Sequence, residues 1–286
     1  MSARELPPPT ADAKLLDWLL AALAPTNRTR VKQLLHSGRV RVNGTSVTRH
    51  DHLLTPKDRV SIAKEVPRPS AVAIVYEDDA LVVIDKPAGL LTVATESEKT
   101  DTAFVHLRDH LAATRAGRPF VVHRLDRDTS GLLLFAKSPR VRDSLQANWD
   151  AVTKRYLAVV EGTPDPAAGR IENYLTEGRD LRARASQRPG PDAKLAATRY
   201  AVLASRGGYS LVEVTLETGR KQQIRVHLAG LGCPVAGDRV YGAKNDPARR
   251  LALHAWKLAF AHPVGGAAVE VESPLPRLLS RVVGTE

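Results

Sequence analysis

The first readable pattern along the chain is helical. Leu15, Leu16, Leu19, Leu20 and Leu23 recur at three- and four-residue spacing, which puts them on one face and predicts an amphipathic helix over 13–24. A second helix is expected over 28–36, with Thr26 or Asn27 as its N-cap and Gly38 just past its end. The period then changes to two. Val40 and Val42 alternate with Arg39 and Arg41, as on a half-buried strand with a basic outer face. Asn43-Gly44 signals a turn, and a second short strand is expected over 59–63. Residues 1–11 hold three consecutive prolines and no apolar period, and read as a disordered tail. Pro67-Arg68-Pro69-Ser70 reads as a stiff linker.

Beyond residue 71 short apolar segments mix with helical ones. Strands are expected over 73–76, 81–84, 132–135, 155–160, 198–203 and 211–216. Helices are expected over 102–113, over 139–149 with Ser138 as cap, and over 222–231 ending at Gly232. The regular strand–helix alternation of a doubly wound parallel sheet is missing. The expected fold class is α+β: a small helix–helix–strand domain over 12–66, the linker 67–70, and a second domain over 71–286 built on a mixed, mostly antiparallel sheet.

Composition narrows the classes. Apolar residues make up 43% of the 286, enough for a core. The longest apolar run, residues 18–24, has seven members, far short of the roughly 20 needed to cross a membrane. The first ten residues contain no apolar core of a secretory signal, so a cytoplasmic location is expected. The single cysteine, Cys233, excludes an internal disulfide framework and a multi-thiolate metal site. The net charge of +11 points to a polyanionic partner, most often nucleic acid. That charge is uneven: residues 1–66 carry +5 and the remaining 220 carry +6. Within the dense part, Arg28, Arg30, Lys32, Arg39 and Arg41 lie close together, with Arg28 and Lys32 on one helical face. Flexible cations of this kind suit phosphates and RNA shape rather than base edges.

The densest chemistry is H-R-L-D-R-D-T-S-G at 123–131, a polar loop between two buried segments. An ion-paired turn, with Asp128 accepting from Thr129 or Ser130, accounts for part of it. A glycosidase pair would need a second carboxylate, and Asp128 lies too close to Asp126 on the loop. His123 has no partner at metal-ligand spacing, and Ser130 would need a nearby base and lacks a G-x-S-x-G setting.

Two resemblances bear on these readings. The run L-L-D-W-L-L-A-A-L … N-R-T-R-V-K-Q-L-L-H-S-G-R-V-R-V-N-G … L-T-P-K-D-R-V-S-I resembles the S-four RNA-binding domain over about 50 residues, with Lys57 where that family usually has Gly. H-R-L-D-x-x-T-S-G-L-L-L-F-A-K resembles the signature of the RluA-like family of RNA pseudouridine synthases. I-D-K-P-A-G-L-L at 84–91, K-R-Y-L-A-V-V-E-G at 154–162, L-E-T-G-R-K-Q-Q-I-R-V-H-L-A-G-L-G-C-P-V-A-G-D-R-V-Y-G at 216–242 and L-H-A-W-K-L-A-F at 253–260 follow in that family's order. Gln222 stands where the family usually has His or Asn.

The resemblance implies a catalytic domain of the pseudouridine synthase type. Asp126 would be the catalytic carboxylate, and Arg225 the arginine whose planar fork keeps it ionised. Tyr156 would stack on the base and assist removal of its proton at carbon five. Arg124 would help fill the stack vacated by a flipped uridine. Leu125, Lys154, Arg220 and Gln223 are expected among the substrate-binding positions. The chemistry requires no metal and no cofactor. The expected partner is RNA, most often ribosomal RNA of the large subunit, with no membrane role and a monomeric enzyme. The alternative is a non-catalytic RNA-binding or ribosome-assembly factor on the same scaffold.

Overall fold

The computed structural model describes residues 4–36, 39–63, 72–96, 98–178 and 180–285. Gly38 and the linker expected at 67–70 lie outside the described residues. The chain divides into two compact units, Met1–Arg68 and Pro69–Glu286.

The first unit contains β1 (Arg4–Glu5), β2 (Ala13–Lys14), α1 (Leu15–Ala22), α2 (Arg28–His36), β3 (Val40–Val42), β4 (Thr45–Ser46), β5 (Leu53–Leu54) and β6 (Val60–Ile62). Four strands form a sheet in the order β1-β6-β3-β4. Leu15, Leu16, Leu19, Val31, Leu35, Val40, Val42 and Val60 supply its core, matching the helical and strand periods. Asn27 Oδ1 accepts the Arg30 amide at 2.9 Å, which makes Asn27 the cap of α2. Asn43 and Gly44 have φ of 52° and 81°, the paired left-handed conformations of a tight hairpin turn.

Two expectations fail here. Residues 4–6 are not a disordered tail: β1 pairs antiparallel with β6, the Leu6 amide donates to Val60 O at 3.0 Å, and the Leu6 side chain is buried. One apolar anchor recruits the segment, a signal too short to show as a period. The first helix starts at Leu15 rather than residue 13, because Ala13 and Lys14 pair with β5. The Leu15 amide donates to His52 O at 2.8 Å.

The second unit contains β7 (Ala73–Glu77), β8 (Leu81–Lys86), α3 (Ala103–Thr114), β9 (Phe120–Val121), β10 (Ser130–Ala136), α4 (Pro139–Ala147), β11 (Thr153–Glu161), β12 (Ala168–Glu177), β13 (Ala183–Ser186), β14 (Lys194–Arg206), β15 (Tyr209–Leu216), α5 (Gln223–Gly230), β16 (Leu253–Ala261), β17 (Ala268–Glu272) and α6 (Arg277–Val283). One large sheet runs in the order β13-β12-β14-β15-β11-β16-β10-β8-β7, with β17 on β16 and β9 on β10. The β10–β16 pair is parallel, while its neighbouring pairings β10–β8 and β11–β16 are antiparallel. The α+β class with a mixed sheet is as expected. No helix among the described residues is long and apolar enough to cross a membrane.

Strands β8 and β10 are buried on both faces, which explains their unbroken apolar sequence. Leu81, Val83, Leu132 and Leu134 pack toward α4. Val82, Ile84, Leu133 and Phe135 pack toward α3. Thr102 and Ser138 cap α3 and α4 by accepting the Val105 and Val141 amides. The strands β12 and β13 escape the sequence pattern because they are largely exposed and polar, and β17 because its A-V-E-V-E alternation is only five residues long. The helix expected over 139–149 stops at Ala147, and a short 3-10 turn, Trp149–Ala151, follows.

Gly131 permits the parallel contact at the end of the polar loop. Its φ is +109°, and a Cβ there would lie 2.2 Å from Ala255 O on β16. No side chain fits at that approach.

A buried imidazole, His227, and a half-buried one, His123, set an acid limit on the fold. His227 exchanges hydrogen bonds with Thr198 Oγ1 at 2.8 Å and Asn173 Oδ1 at 3.0 Å. Burial pushes it down to about 4. Burial, with the nearby Lys154 ammonium, pushes His123 down to about 3. Both are neutral when folded, whereas the unfolded chain takes up their protons near 6.5. Stability is therefore fully present above pH 6.5 and falls as the pH drops from there toward 4, because the unfolded chain binds more protons. Urea melts should show a loss of about 2 kcal/mol per histidine between pH 7 and pH 5, and His227→Gln should flatten that slope.

Candidate active site

The loop carrying Asp126 joins β9 to β10 and is clamped at several points. His123 Nε2 accepts the Leu134 amide at 3.0 Å, and its ring stacks on Trp149 at 4.5 Å between centroids. Thr92 Oγ1 donates to Leu125 O at 2.9 Å and accepts the Leu125 amide at 3.2 Å. Lys86, fully buried, gives its ammonium to Pro87 O, Leu90 O and Arg127 O at 2.9, 2.8 and 3.0 Å. All three donors of the ammonium are thereby used. Gly89 N donates to Arg127 O, and Arg127 Nε returns a bond to Gly89 O at 3.0 Å. Burial lowers the Lys86 pKa to about 8, against the pull of the Asp128 and Asp126 carboxylates. The I-D-K-P-A-G-L-L motif is thus a clamp for the Asp126 loop. Sequence reasoning noted the motif but not Lys86; a lysine closing an apolar strand before Pro-Ala-Gly was the available signal.

Ser130 closes the loop. Its hydroxyl lies 2.8 Å from His254 Nδ1 and receives Arg250 Nη2 at 2.6 Å. A base therefore does stand beside Ser130, but the serine is buried and fully engaged. Ser273 Oγ donates to Asp85 Oδ2 at 2.6 Å, and Ser273 O faces His254 Nε2 at 3.3 Å. This chain of contacts fastens β8, β10 and β16 beneath the loop.

Arg225, on α5, meets Asp126 across 99 residues of sequence: its Nη1 lies 3.3 Å from Asp126 Oδ2. The contact expected from sequence is present, but the fork is not where it was expected. Arg225 Nε and Nη2 both bind Asp238, at 2.6 and 2.8 Å. The Asp238 side chain is only 1% exposed. The Tyr241 ring lies 5.0 Å beneath the guanidinium, a cation–π distance. Burial opposes the charge on Arg225, but Asp238 and then Asp126 outweigh it and raise its pKa. Asp238 was missed because nothing in its sequence context separates it from a turn residue. Only the fold brings it under Arg225. The Asp126 side chain, with its single contact, remains 30% exposed.

Tyr156 lies on β11 immediately after a register shift between Arg155 and Tyr156, an irregularity that re-aims side chains. It packs against two of the large unit's apolar clusters. Burial, and then the Asp126 charge, raise its pKa, so the phenol stays protonated.

The other expected positions divide. Leu125 is buried in the loop. Arg124, beside it, is exposed. Arg220 is exposed, with Nε on Leu195 O at 3.0 Å. Two substrate-binding expectations are corrected. Lys154 is buried, with Nζ on Trp149 O at 3.0 Å and over the Trp149 ring, so it braces the His123–Trp149 stack and does not face a phosphate. Gln223 is 2% exposed. Its amide donates to Ala197 O and Thr198 Oγ1, and its carbonyl accepts from Thr218 Oγ1 and Arg220 N. Every hydrogen-bonding position of Gln223 is met by the protein; it anchors the start of α5. Gln222, the departure from the family pattern, has φ of 55° and contacts Tyr241 OH at 2.6 Å.

In the first unit, Arg28, Arg30 and Lys32 are exposed on α2, and Arg41 is exposed on β3. Arg39 differs from the expected solvent-facing cation: it is half-buried, and Nε donates to Ala63 O at 3.0 Å. Lys57 does not adopt a left-handed conformation, so its turn does not require glycine.

Comparison with known proteins agrees with this geometry. Residues 80–230 match the family model for RNA pseudouridylate synthase. The chain is 37% identical over 273 residues to the "Uncharacterized RNA pseudouridine synthase YlyB" of Bacillus subtilis, covering 90% of this chain and 88% of that protein. It is 36% identical over 285 residues to the "Ribosomal large subunit pseudouridine synthase D" of Neisseria meningitidis, covering 91% of this chain and 75% of that one. The solved structure of "Human RNA Pseudouridylate Synthase Domain Containing 4" aligns with a TM-score of 0.62 at 27% identity, over 74% of this chain and 92% of the human one. The Asp126 loop, the Tyr156 strand and the Arg225 helix all fall inside the matched segment, and the chain belongs to the RNA pseudouridine synthase family.

Proposed function

We propose that this enzyme isomerises uridines of large-subunit ribosomal RNA, with Asp126 as the catalytic carboxylate. The observation that carries the reading is the contact between Arg225 and Asp126, made by a guanidinium whose other face is held by Asp238. The reaction breaks the bond between C1′ and N1 of a uridine and forms one between C1′ and C5. N1 gains a proton and C5 loses one, so nothing is oxidised or hydrolysed. Asp126 supplies the carboxylate that acts on the nucleoside, and Arg225 orients it through the Nη1 contact. Asp238 is a positioning residue, since it acts through Arg225. Tyr156, protonated, offers a ring to the base and a hydroxyl at its edge. The target base must leave its stack to reach these groups, and the exposed Arg124 stands next to the loop it would enter.

The first unit serves as an S-four-type RNA-docking module, with Arg28, Arg30, Lys32 and Arg41 facing phosphates. The ribosomal assignment is supported by relatives named as large-subunit synthases. A monomeric enzyme working in the cytoplasm completes the reading.

Three outcomes are expected. Asp126→Asn should abolish tritium release from a C5-tritiated ribosomal RNA transcript while leaving RNA binding intact; full activity in that variant would sink the assignment. Asp238→Asn should lower kcat about a hundredfold through a misplaced Arg225, with KM changed only a few-fold. Replacing Arg28, Arg30 and Lys32 by Gln should reduce the slope of log affinity against log salt by about two to three; an unchanged slope would mark these cations as plain solvated surface.

A further inference from the structure

The large unit has an open cavity of about 520 Å3 lined by Ala88, Pro247, Ala248, Arg249, Arg250 and Leu278. That volume lies in the range of roughly 300–1,000 Å3 typical of small-ligand sites. Asp126, Tyr156 and Arg225 do not line it. It is nevertheless adjacent to the chemistry, because Ala88 precedes Gly89, whose amide and carbonyl clamp Arg127.

Neither guanidinium is ion-paired with a carboxylate among the described residues, and the one carboxylate in contact, Asp246, accepts the Arg250 backbone amide at 2.7 Å. Arg250 is fixed in place: Nε donates to Leu251 O at 3.0 Å, and Nη2 to Ser130 Oγ at 2.6 Å and Leu253 O at 3.3 Å. These guanidinium contacts are all with neutral groups, so its charge is compensated only from a distance. Burial accordingly lowers its pKa, opposed only by the more distant Asp85 and Asp128. Arg249 is exposed at the rim. Opposite them, Leu278 presents an apolar surface that is 53% exposed. A pre-positioned guanidinium without a counter-ion suits an oxyanion. The apolar wall is left over if the ligand is a bare phosphate, and is used if the ligand is a nucleotide.

We propose that this cavity is a second nucleotide subsite, which takes the phosphate of an RNA residue flanking the target uridine against Arg249 and Arg250 and its base or ribose against Ala88, Pro247 and Leu278. The inference rests on the reading of Asp126 as the catalytic group, since Ala88 adjoins the turn that clamps the Asp126 loop. Gripping a neighbour offsets part of the cost of extruding the uridine from its stack. The clamp makes the subsite rigid before RNA arrives.

The test uses the full-length Asp126→Asn protein, alone and combined with Arg249→Gln or Leu278→Ser, and an unmodified transcript of large-subunit ribosomal RNA. Filter binding is measured across a salt series. Arg249→Gln should weaken binding about tenfold and reduce the salt slope by about one. Leu278→Ser should weaken it a few-fold with the slope unchanged. Unaltered affinity and slope in Arg249→Gln would overturn the proposal. So would saturable binding of inorganic phosphate that Arg249→Gln removes while RNA binding stays the same, an outcome that assigns the cavity to a free anion. Tritium release by the unmutated enzyme from the same transcript is measured alongside. Its absence would defeat the ribosomal substrate reading, and the salt slopes would still decide the cavity.

Discussion

The site depends on one buried cation shared unequally by two carboxylates. Arg225 is mostly removed from water, and its charge is costly there unless paired. Asp238 meets that cost with the two-pronged contact. Asp126 receives the remaining Nη1 at 3.3 Å. The asymmetry has a chemical consequence: an aspartate gripped by both prongs would have both oxygens engaged, whereas one held by a single prong keeps an open face. Tyr241 beneath the guanidinium and Gln222 on the Tyr241 hydroxyl extend the same support outward.

The loop opposite Arg225 is held with comparable care. Lys86 spends all its donors on backbone carbonyls, so its burial serves geometry rather than proton transfer. Gly131 allows β10 to run parallel to β16 at a separation no side chain tolerates. That parallel step, amid antiparallel neighbours, brings Ser130 against His254 and sets the end of the Asp126 loop. The loop is therefore held by contacts from β8, β10 and β16, which fix where it presents Asp126.

Much of this was legible in the residues. Doubly buried β8 and β10 announce themselves as unbroken apolar runs, and the caps Asn27 and Ser138 sit where side-chain oxygens meet free helix amides. Less legible were elements whose burial is slight. Strands β12 and β13 carry few apolar residues, β17 shows its alternation over only five residues, and β1 depends on Leu6 alone. Lys154 and Gln223 illustrate a different limit. Each is polar and lies within a motif, so each reads as a substrate contact. Their hydrogen bonds are instead consumed by Trp149 O, Ala197 O, Thr198, Thr218 and Arg220.

The sequence by itself determined the α+β layout, the family and the contiguous loop that presents Asp126, because those rest on local periods and on residues adjacent in the chain. Tertiary structure alone decided which carboxylate takes the fork of Arg225, which polar residues are structural, and where two arginines stand without counter-ions. The reason is physical: the role of a polar side chain is set by which partners satisfy it, and partners such as Asp238 for Arg225 and Ser130 for Arg250 lie 13 and 120 residues away.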